Sequence, residues 1–405
     1  MIRLSWPGRG QSVVCHPETG RWVAGAHPPA RALDAPDADL LVHADAYDAL
    51  SALARSHARR VRLVYLDPPF NTGNELLGYD DRTSHELWLA ALEERLAATR
   101  PLLAPGAFVV LHINVVEQAY LKVLLDELFG RDALVTQISW QRAPDRTLLG
   151  QGSALVADQV EYLLVYAPDG VPEGWPRPQR RTSLPEKTLA TYRRALTPSP
   201  EATLVADEPG LRIFAHASHR LEPVAADDLS SFDRRMRVTN QQPESTFQQA
   251  LLARMPDPAR LYRAEYTQAR GKHRGARVRY YLGGNVVLWL RDIAVVEDGA
   301  LVRVADWNNF WSADEVPATG IAREGGVTLR RGKKPERLLE RVLGAFSRPG
   351  EWVLDFFAGS GTTGAVAARL GRRFILVEAA AAHVALARAR LERQGARFAE
   401  RALLS

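Results

Sequence analysis

The residues best placed to do chemistry stand at Asp67-Pro68-Pro69-Phe70-Asn71, directly after the apolar run Val61 to Leu66. That run reads as a buried strand. Asp67 therefore sits at its carboxyl end, where open parallel sheets bind ligands. The two prolines fix the backbone and withhold N–H donors, which leaves nearby carbonyls unanswered. Asp67 and the Pro68 carbonyl form a pair of acceptors beside the flat face of Phe70. Such a set suits an exocyclic amine on a flat base. Two acceptors take its two hydrogens, its lone pair turns toward an electrophile, and the ring stacks on a base that has left its duplex. A plain Asp-Pro-Pro turn closing a strand accounts for the same residues.

A second constellation lies near the C-terminus. The strand-like "EWVLDF" reaches Asp355, and Gly359-Ser360-Gly361-Thr362-Thr363-Gly364 follows as a glycine-bearing turn. Glycines there let a backbone approach a ligand closely. Glu378 closes the next strand, "RRFILVE", about 20 residues on, where an acid can hold ribose hydroxyls. No lysine follows the glycines, so this is not a nucleoside triphosphate loop. A dinucleotide and S-adenosyl-L-methionine both fit what remains.

Elements must position these two groups. From residue 41 apolar strands alternate with amphipathic helices: "LLVHADAYDALSALA" is strand then helix, and "VRLVYL" is a strand. A helix starts at a Thr83–Glu86 capping box and runs to about Leu103. Pro105-Gly106 then break the chain before a strand over 107–113. A helix over 116–129 and a strand over 159–166 follow. Alternation resumes at "PERLLERVLGAF", continues through both motif strands, with "AVAARL" beginning the helix between them, and ends in an alanine-rich helix. The pattern predicts an α/β fold with a mostly parallel sheet. The reading divides the chain into an N-terminal extension (1–40), a catalytic half (41–168), an insert (169–310) and a cofactor half (311–405).

The bulk numbers exclude several classes. The 405 residues allow two or three domains. A content of 46% hydrophobic and 24% charged residues is that of a globular protein. No apolar run reaches the ~18 residues of a membrane span, and the N-terminus has no signal-peptide core, so the reading is cytoplasmic. Cys15 is the only cysteine, which forbids an internal disulfide and a cysteine zinc cluster. The histidines lack ligand spacing, and no metal is expected. The net charge of +5 is mild. Most basic residues are arginine, suited to phosphates and base edges.

Together the two motifs resemble those of the amino-DNA methyltransferases, in the permuted (beta) group whose catalytic motif precedes its cofactor motif. Adenine-specific members carry DPPY or DPPF, often continued as NTG, matched by Asp67 to Gly73. The family's DxFAGSGTT loop is matched by Asp355-Phe356-Phe357-Ala358-Gly359-Ser360-Gly361-Thr362-Thr363, and its KPExLL helix by Lys334-Pro335-Glu336-Arg337-Leu338-Leu339. Residues 43–168 are also similar to modification subunits of type III restriction systems. The resemblance covers a little over half the chain. It implies a Rossmann-like, circularly permuted S-adenosylmethionine-dependent methyltransferase sheet with an inserted target-recognition domain. It implies a catalytic set of Asp67, Pro68, Pro69, Phe70 and Asn71. It implies cofactor contacts from Asp45, Asp355, Phe357, Ala358, Gly359, Ser360, Gly361, Thr362, Thr363 and Glu378. Ala44 stands where the family often has glycine before its upstream acid, and His383 lies near a usual tyrosine.

The expected activity is methyl transfer to adenine N6 in duplex DNA after base flipping, with cytosine N4 as the alternative. A non-catalytic DNA-binding protein on the same scaffold is the competing class. Carbon-5 methylation needs a nucleophilic cysteine, and Cys15 is far from both motifs in sequence. In the insert, Arg260, Arg263, Arg270, Lys272, Arg274, Arg277 and Arg279 interleave with tyrosines around two glycines, as a DNA-binding hairpin would. The bacterial protein would meet the nucleoid through DNA. A partner restriction endonuclease would be a separate chain, and relatives of this kind often form homodimers.

Overall fold

The computed structural model describes residues 3–16, 21–29, 33, 37–72, 75–76, 79–80, 83–142, 158–225, 228–239, 246–268, 275–329 and 332–403. The chain forms two compact units: Met1–Pro178 with Asn308–Ser405, and Gln179–Trp307. Residues 169–178, expected in the insert, fall in the first unit. Trp175 packs its ring on Phe108 at 5.1 Å and donates from Nε1 to the Ala345 carbonyl at 2.9 Å.

The first unit opens with the hairpin β1 (Val13–Cys15) and β2 (Trp22–Ala24). Then come β3 (Leu40–His43), α1 (Ala46–Ser56), β4 (Val61–Leu66), α2 (His85–Thr99), β5 (Leu103–Ile113), α3 (Gln118–Phe129), β6 (Leu134–Gln141) and β7 (Val160–Tyr166). After the second unit the chain returns as β8 (Phe310–Trp311), α4 (Glu336–Phe346), β9 (Trp352–Asp355), α5 (Thr362–Arg369), β10 (Arg373–Glu378), α6 (Ala381–Arg393) and β11 (Ala399–Ala402).

Nine strands make one sheet in the order β8-β6-β7-β5-β4-β9-β10-β3-β11. All neighbours pair parallel except at β7, which runs against both β5 and β6. The central strands are buried on both faces, which is why β4, β5, β9 and β10 read as apolar runs without alternation. Asp67 follows β4, Asp355 ends the adjacent β9, and Glu378 ends β10 beyond it. Three acids thus lie along one carboxyl edge of the sheet.

Five local expectations change. The cap of α2 is Ser84, whose hydroxyl accepts from Leu87 N, one residue beyond the predicted Thr83. That helix ends at Thr99, and a 3-10 turn over Arg100–Leu102 follows. Strand β5 begins before Pro105-Gly106. Val61 pairs with Leu103 and Leu63 with Phe108, so the two residues sit in a bulge within the strand. Helix α5 starts at Thr362, because Gly361 in the left-handed region hands the chain straight into it. The N-terminal residues, expected as an extension, pair β1 with β2 and bury Val13 and Trp22 in the main core.

The second unit is antiparallel. An eight-stranded sheet runs in the order Ala202–Glu208, Leu211–His216, Leu261–Gln268, Gly275–Leu282, Asn285–Trp289, Arg235–Val238, Arg194–Pro198, His219–Pro223. A smaller three-stranded sheet pairs Gln179–Ser183, Ala300–Asp306 and Ala294–Glu297. Ile213, Tyr262, Ala264, Tyr266 and Tyr281 form one of its cores.

Close packing of α5 on β10 depends on Gly364. A Cβ there would stand 2.6 Å from Leu376 Cδ1 and 3.3 Å from Phe374 Cδ2. Gly364→Val is expected to cost about 1–3 kcal/mol by overpacking. Urea denaturation reads the loss as a lower midpoint at unchanged slope.

Candidate active site

The corner after β4 is held from three sides. Trp88 Nε1 donates to the Pro69 carbonyl at 2.7 Å. Asn71 takes a left-handed φ of 54°, a conformation asparagine tolerates better than most residues. Its Nδ2 donates to Glu117 Oε1 at 2.8 Å, and its Oδ1 accepts from Thr83 N at 3.1 Å. Glu117 in turn meets His85 Nδ1 at 2.7 Å. Pro68 is buried, while Phe70 is half-buried with its ring 5.9 Å from that of His112.

A cluster of buried charge faces this corner. Lys334, just before α4, places Nζ 2.9 Å from Asp67 Oδ1, 3.7 Å from Glu161 Oε2 and 4.5 Å from the Phe70 ring centre. Glu161, on β7, is also met by His112 Nε2 at 2.7 Å and Arg142 Nη1 at 3.0 Å. The other ring nitrogen of His112 lies 3.1 Å from the Tyr65 hydroxyl. Burial alone would push the Glu161 carboxyl up, but Lys334, His112 and Arg142 hold it well below the usual carboxylate range. Burial pulls the Lys334 ammonium down, and Asp67 and Glu161 more than offset it, so it is held above its ordinary value. Burial, followed by Asp67, keeps the Tyr65 hydroxyl protonated.

The glycine turn is a polar cradle. Asp355 Oδ1 accepts from Phe357 N at 2.9 Å, and Oδ2 accepts from Thr363 Oγ1 at 2.6 Å. Glu378 Oε2 accepts from Gly359 N at 2.8 Å, and Oε1 accepts from Ala380 N at 2.9 Å. Gly359 has φ +53°, and a Cβ there would meet only the Phe357 carbonyl at 4.0 Å, so the turn's backbone faces open space. Ser360 and Thr362 turn the other way, to Arg390 Nη1 at 3.4 and 2.7 Å. Within the expected set they serve the framework. Ala358 is buried, and its N–H donates to the Val377 carbonyl.

Asp45 caps α1 by accepting from Tyr47 N at 2.8 Å. It also accepts from Cys15 N at 2.7 Å and from Arg95 Nη2 at 2.8 and 2.6 Å. In this structure the acid is spent on joining α1, α2 and the N-terminal hairpin. The hairpin also brings Trp22 within 6.0 Å of Phe357, ring to ring. Cys15, remote from both motifs in sequence, thus lies beside Asp45 and within the field of Glu378. Burial first, then Asp45 and Glu378 against Arg95, push its thiol up to about 12. That environment disfavours the thiolate that cysteine nucleophilic chemistry requires.

In the second unit the basic hairpin pairs Leu261–Gln268 with Gly275–Leu282. Pleating splits its arginines. Arg277 and Arg279 stand opposite Tyr266 and Ala264, on the tyrosine face. Arg263 lies on the other face, 4.5 Å over the Phe214 ring and 3.3 Å from Glu265. Arg260 is exposed just before the first strand. Arg270, Lys272 and Arg274 lie outside the described residues.

Sequence reading missed Lys334 as a site residue, together with Glu161, His112, Glu117 and Trp88. Lys334 opens the KPExLL stretch, and Glu161 lies in the apolar strand expected over 159–166. An acid in an otherwise apolar strand was the available signal.

Residues 61–389 match the model of the DNA methylase family. Over 367 residues the chain is 26% identical to the "Probable type III restriction-modification enzyme HindVI Mod subunit" of Haemophilus influenzae, covering 85% of this chain and 49% of that one. Over 348 residues it is 24% identical to the type II methyltransferase M.KpnI of Klebsiella pneumoniae, covering 81% of this chain and 78% of that one. The chain thus spans about half the length of the type III relative. A solved structure of the PvuII DNA methyltransferase (cytosine-N4-specific) superposes with a TM-score of 0.43 at 12% identity, over 91% of this chain and 96% of that one.

Asp355 yields a pH signature. Burial, opposed by Thr363 and Phe357 N–H and aided by Asp67 and Glu378, pushes its carboxyl up to about 7. The folded state then binds a proton that the unfolded chain has already lost. Stability from this group is full below about pH 4 and falls as pH rises toward about 7. Thermal melts from pH 5 to 8 should show the wild type losing stability relative to Asp355→Asn as pH rises. A constant difference would contradict the assignment.

Proposed function

We propose that this chain, which belongs to the DNA methylase family, transfers a methyl group from S-adenosyl-L-methionine to the exocyclic N6 amine of adenine in duplex DNA after base flipping. The observation that carries this is adjacency. The acceptor corner after β4 and the glycine cradle after β9 end neighbouring parallel strands, so the two reacting partners would meet at one sheet edge. The cradle fits the cofactor. Gly359 has open space beside its backbone, and Glu378, Asp355 and Phe357 surround it as the residues that would hold S-adenosylmethionine; Gly361 packs against Ala387 of α6 instead. When bound, that molecule supplies an electrophilic methyl group.

The chain's own part is positioning, which supplies much of the rate in such transfers. Asp67 and the Pro68 carbonyl accept the two amine hydrogens and turn the nitrogen lone pair out of the ring plane. Phe70 stacks on the base. Asn71, tied to Glu117 and Thr83, keeps the corner rigid. No covalent intermediate on the enzyme is needed: the N–CH3 bond would form as the S–CH3 bond breaks, the thioether S-adenosylhomocysteine would leave, and the nitrogen's surplus proton would pass by way of Asp67 to solvent. The second unit serves target recognition, with Arg260, Arg263, Arg277 and Arg279 among the DNA contacts. A separate nuclease partner and a homodimer belong to the same reading.

Nucleoside mass analysis tests it. After incubation with S-adenosylmethionine and unmethylated genomic DNA, N6-methyladenine is expected. N4-methylcytosine would keep the mechanism and change the base, since both amines offer the same two hydrogens. Neither product, with cofactor binding verified, would favour a non-catalytic DNA-binding protein. Asp67→Ala should lower kcat by about 10²–10³-fold, the usual cost of losing one oriented polar partner. Arg277→Ala with Arg279→Ala should weaken DNA binding evenly across sequences and flatten its salt dependence by about one unit of slope per lost phosphate contact.

A further inference from the structure

Asp67, in the reading above, must offer an oxygen to an incoming amine, and Phe70 must offer its face to an incoming ring. One group already uses both. The Lys334 ammonium is 2.9 Å from Asp67 Oδ1 and 4.5 Å from the centre of the Phe70 ring. It is a cation with N–H donors, like the amine a donor to carboxylate oxygen, and it sits where acceptor and platform converge. The side chains of Lys334, Asp67 and Glu161 are 12%, 16% and 6% exposed. Water therefore cannot readily replace one partner for another, and an ammonium leaving Asp67 needs a second anion within reach.

Glu161 is that anion. Its Oε2 lies 3.7 Å from the same Nζ. His112 at 2.7 Å and Arg142 at 3.0 Å hold Glu161 in place from other strands and loops, so it stays put while the lysine moves. A shift of under an ångström in Nζ exchanges the closer partner. The helix start at Pro335 anchors the lysine's backbone beside α4. Nothing in the proposed chemistry otherwise employs Glu161, His112 or Tyr65, although all three are buried and linked to one another.

We propose that Lys334 is a positioning residue: it holds the Asp67 carboxylate aimed across the empty site and passes to Glu161 when the base amine takes its place. The inference rests on the reading that Asp67 receives the amine. Lys334 acts through Asp67, and Glu161 is its second seat.

The test uses the full chain, S-adenosylmethionine and unmethylated genomic DNA. Lys334→Ala is expected to lower kcat by about 10²-fold, the cost of a small misplacement of a reacting partner, while KM for S-adenosylmethionine stays unchanged. Methylammonium chloride should restore a large part of that loss, and sodium chloride at equal ionic strength should not. A purely structural lesion would not respond to a small ammonium ion. Lys334→Arg should keep more activity than Lys334→Ala. Glu161→Gln removes the second seat and should raise KM for DNA about tenfold, roughly the effect of one charged hydrogen bond.

Wild-type kcat in Lys334→Ala, or a loss that methylammonium leaves untouched while thermal melting is unchanged, overturns the inference and leaves the proposed reaction standing. An unchanged KM for DNA in Glu161→Gln overturns the handover to Glu161. A wild-type chain that binds S-adenosylmethionine yet methylates neither base overturns the reaction and this inference together.

Discussion

The parallel pairing of β4 with β9 is the constraint on which the rest depends. Leu63 lies opposite Val353 and Val64 opposite Leu354, so two segments nearly three hundred residues apart end side by side. Each strand is buried on both faces, and each must leave the sheet at the same edge. The loops that follow carry the acids. Asp67 leaves β4 into two prolines, and Asp355 ends β9 before two glycines. Buried strands with polar exits bring chemistry to one line, as open α/β sheets do generally.

That line concentrates negative charge, and the fold answers it in two ways. Around Asp355 and Glu378 the answer is backbone: Phe357, Gly359 and Ala380 N–H groups donate to the carboxylates. Around Asp67 and Glu161 it is side chains: the cations Lys334 and Arg142, and the His112 ring. The difference has a physical origin. A glycine turn exposes N–H groups, whereas prolines supply none, so the corner after β4 depends on side chains brought from elsewhere. Removing one partner of a buried pair costs about 3–5 kcal/mol in general, which ties the placement of α4 and β7 to the integrity of the corner.

The N-terminal hairpin belongs to the same economy of buried polar groups. Asp45 answers the first turn of α1, the Cys15 N–H and the Arg95 guanidinium at once. Arg95 is fully buried in turn and lies 5.5 Å from the Trp22 ring centre. One carboxylate thus locks three elements around the end of β3. In the second unit pairing rather than charge sets the layout: a two-residue side-chain period sends Arg277 and Arg279 to one face and Arg263 to the other.

The doubly buried strands β4, β5, β9 and β10 and the helices between them were readable from the sequence, because such strands are apolar runs and glycine and proline mark their ends, whereas β6, β8 and β11 drew no expectation. The turns that follow β4 and β9 were readable for the same reason. Local competition hid the boundaries. Ser84 outcompeted Thr83 as a cap, and Pro105-Gly106 formed a bulge instead of a break. The role of the first forty residues was hidden because two three-residue strands leave almost no periodic signal. Only the tertiary structure decided that Lys334 faces Asp67, that Glu161 and His112 stand behind it, and that Asp45 serves three elements. Those facts depend on which distant strands lie side by side. A sequence records the polarity of each residue, but the partner that satisfies a buried charge is chosen by the sheet order.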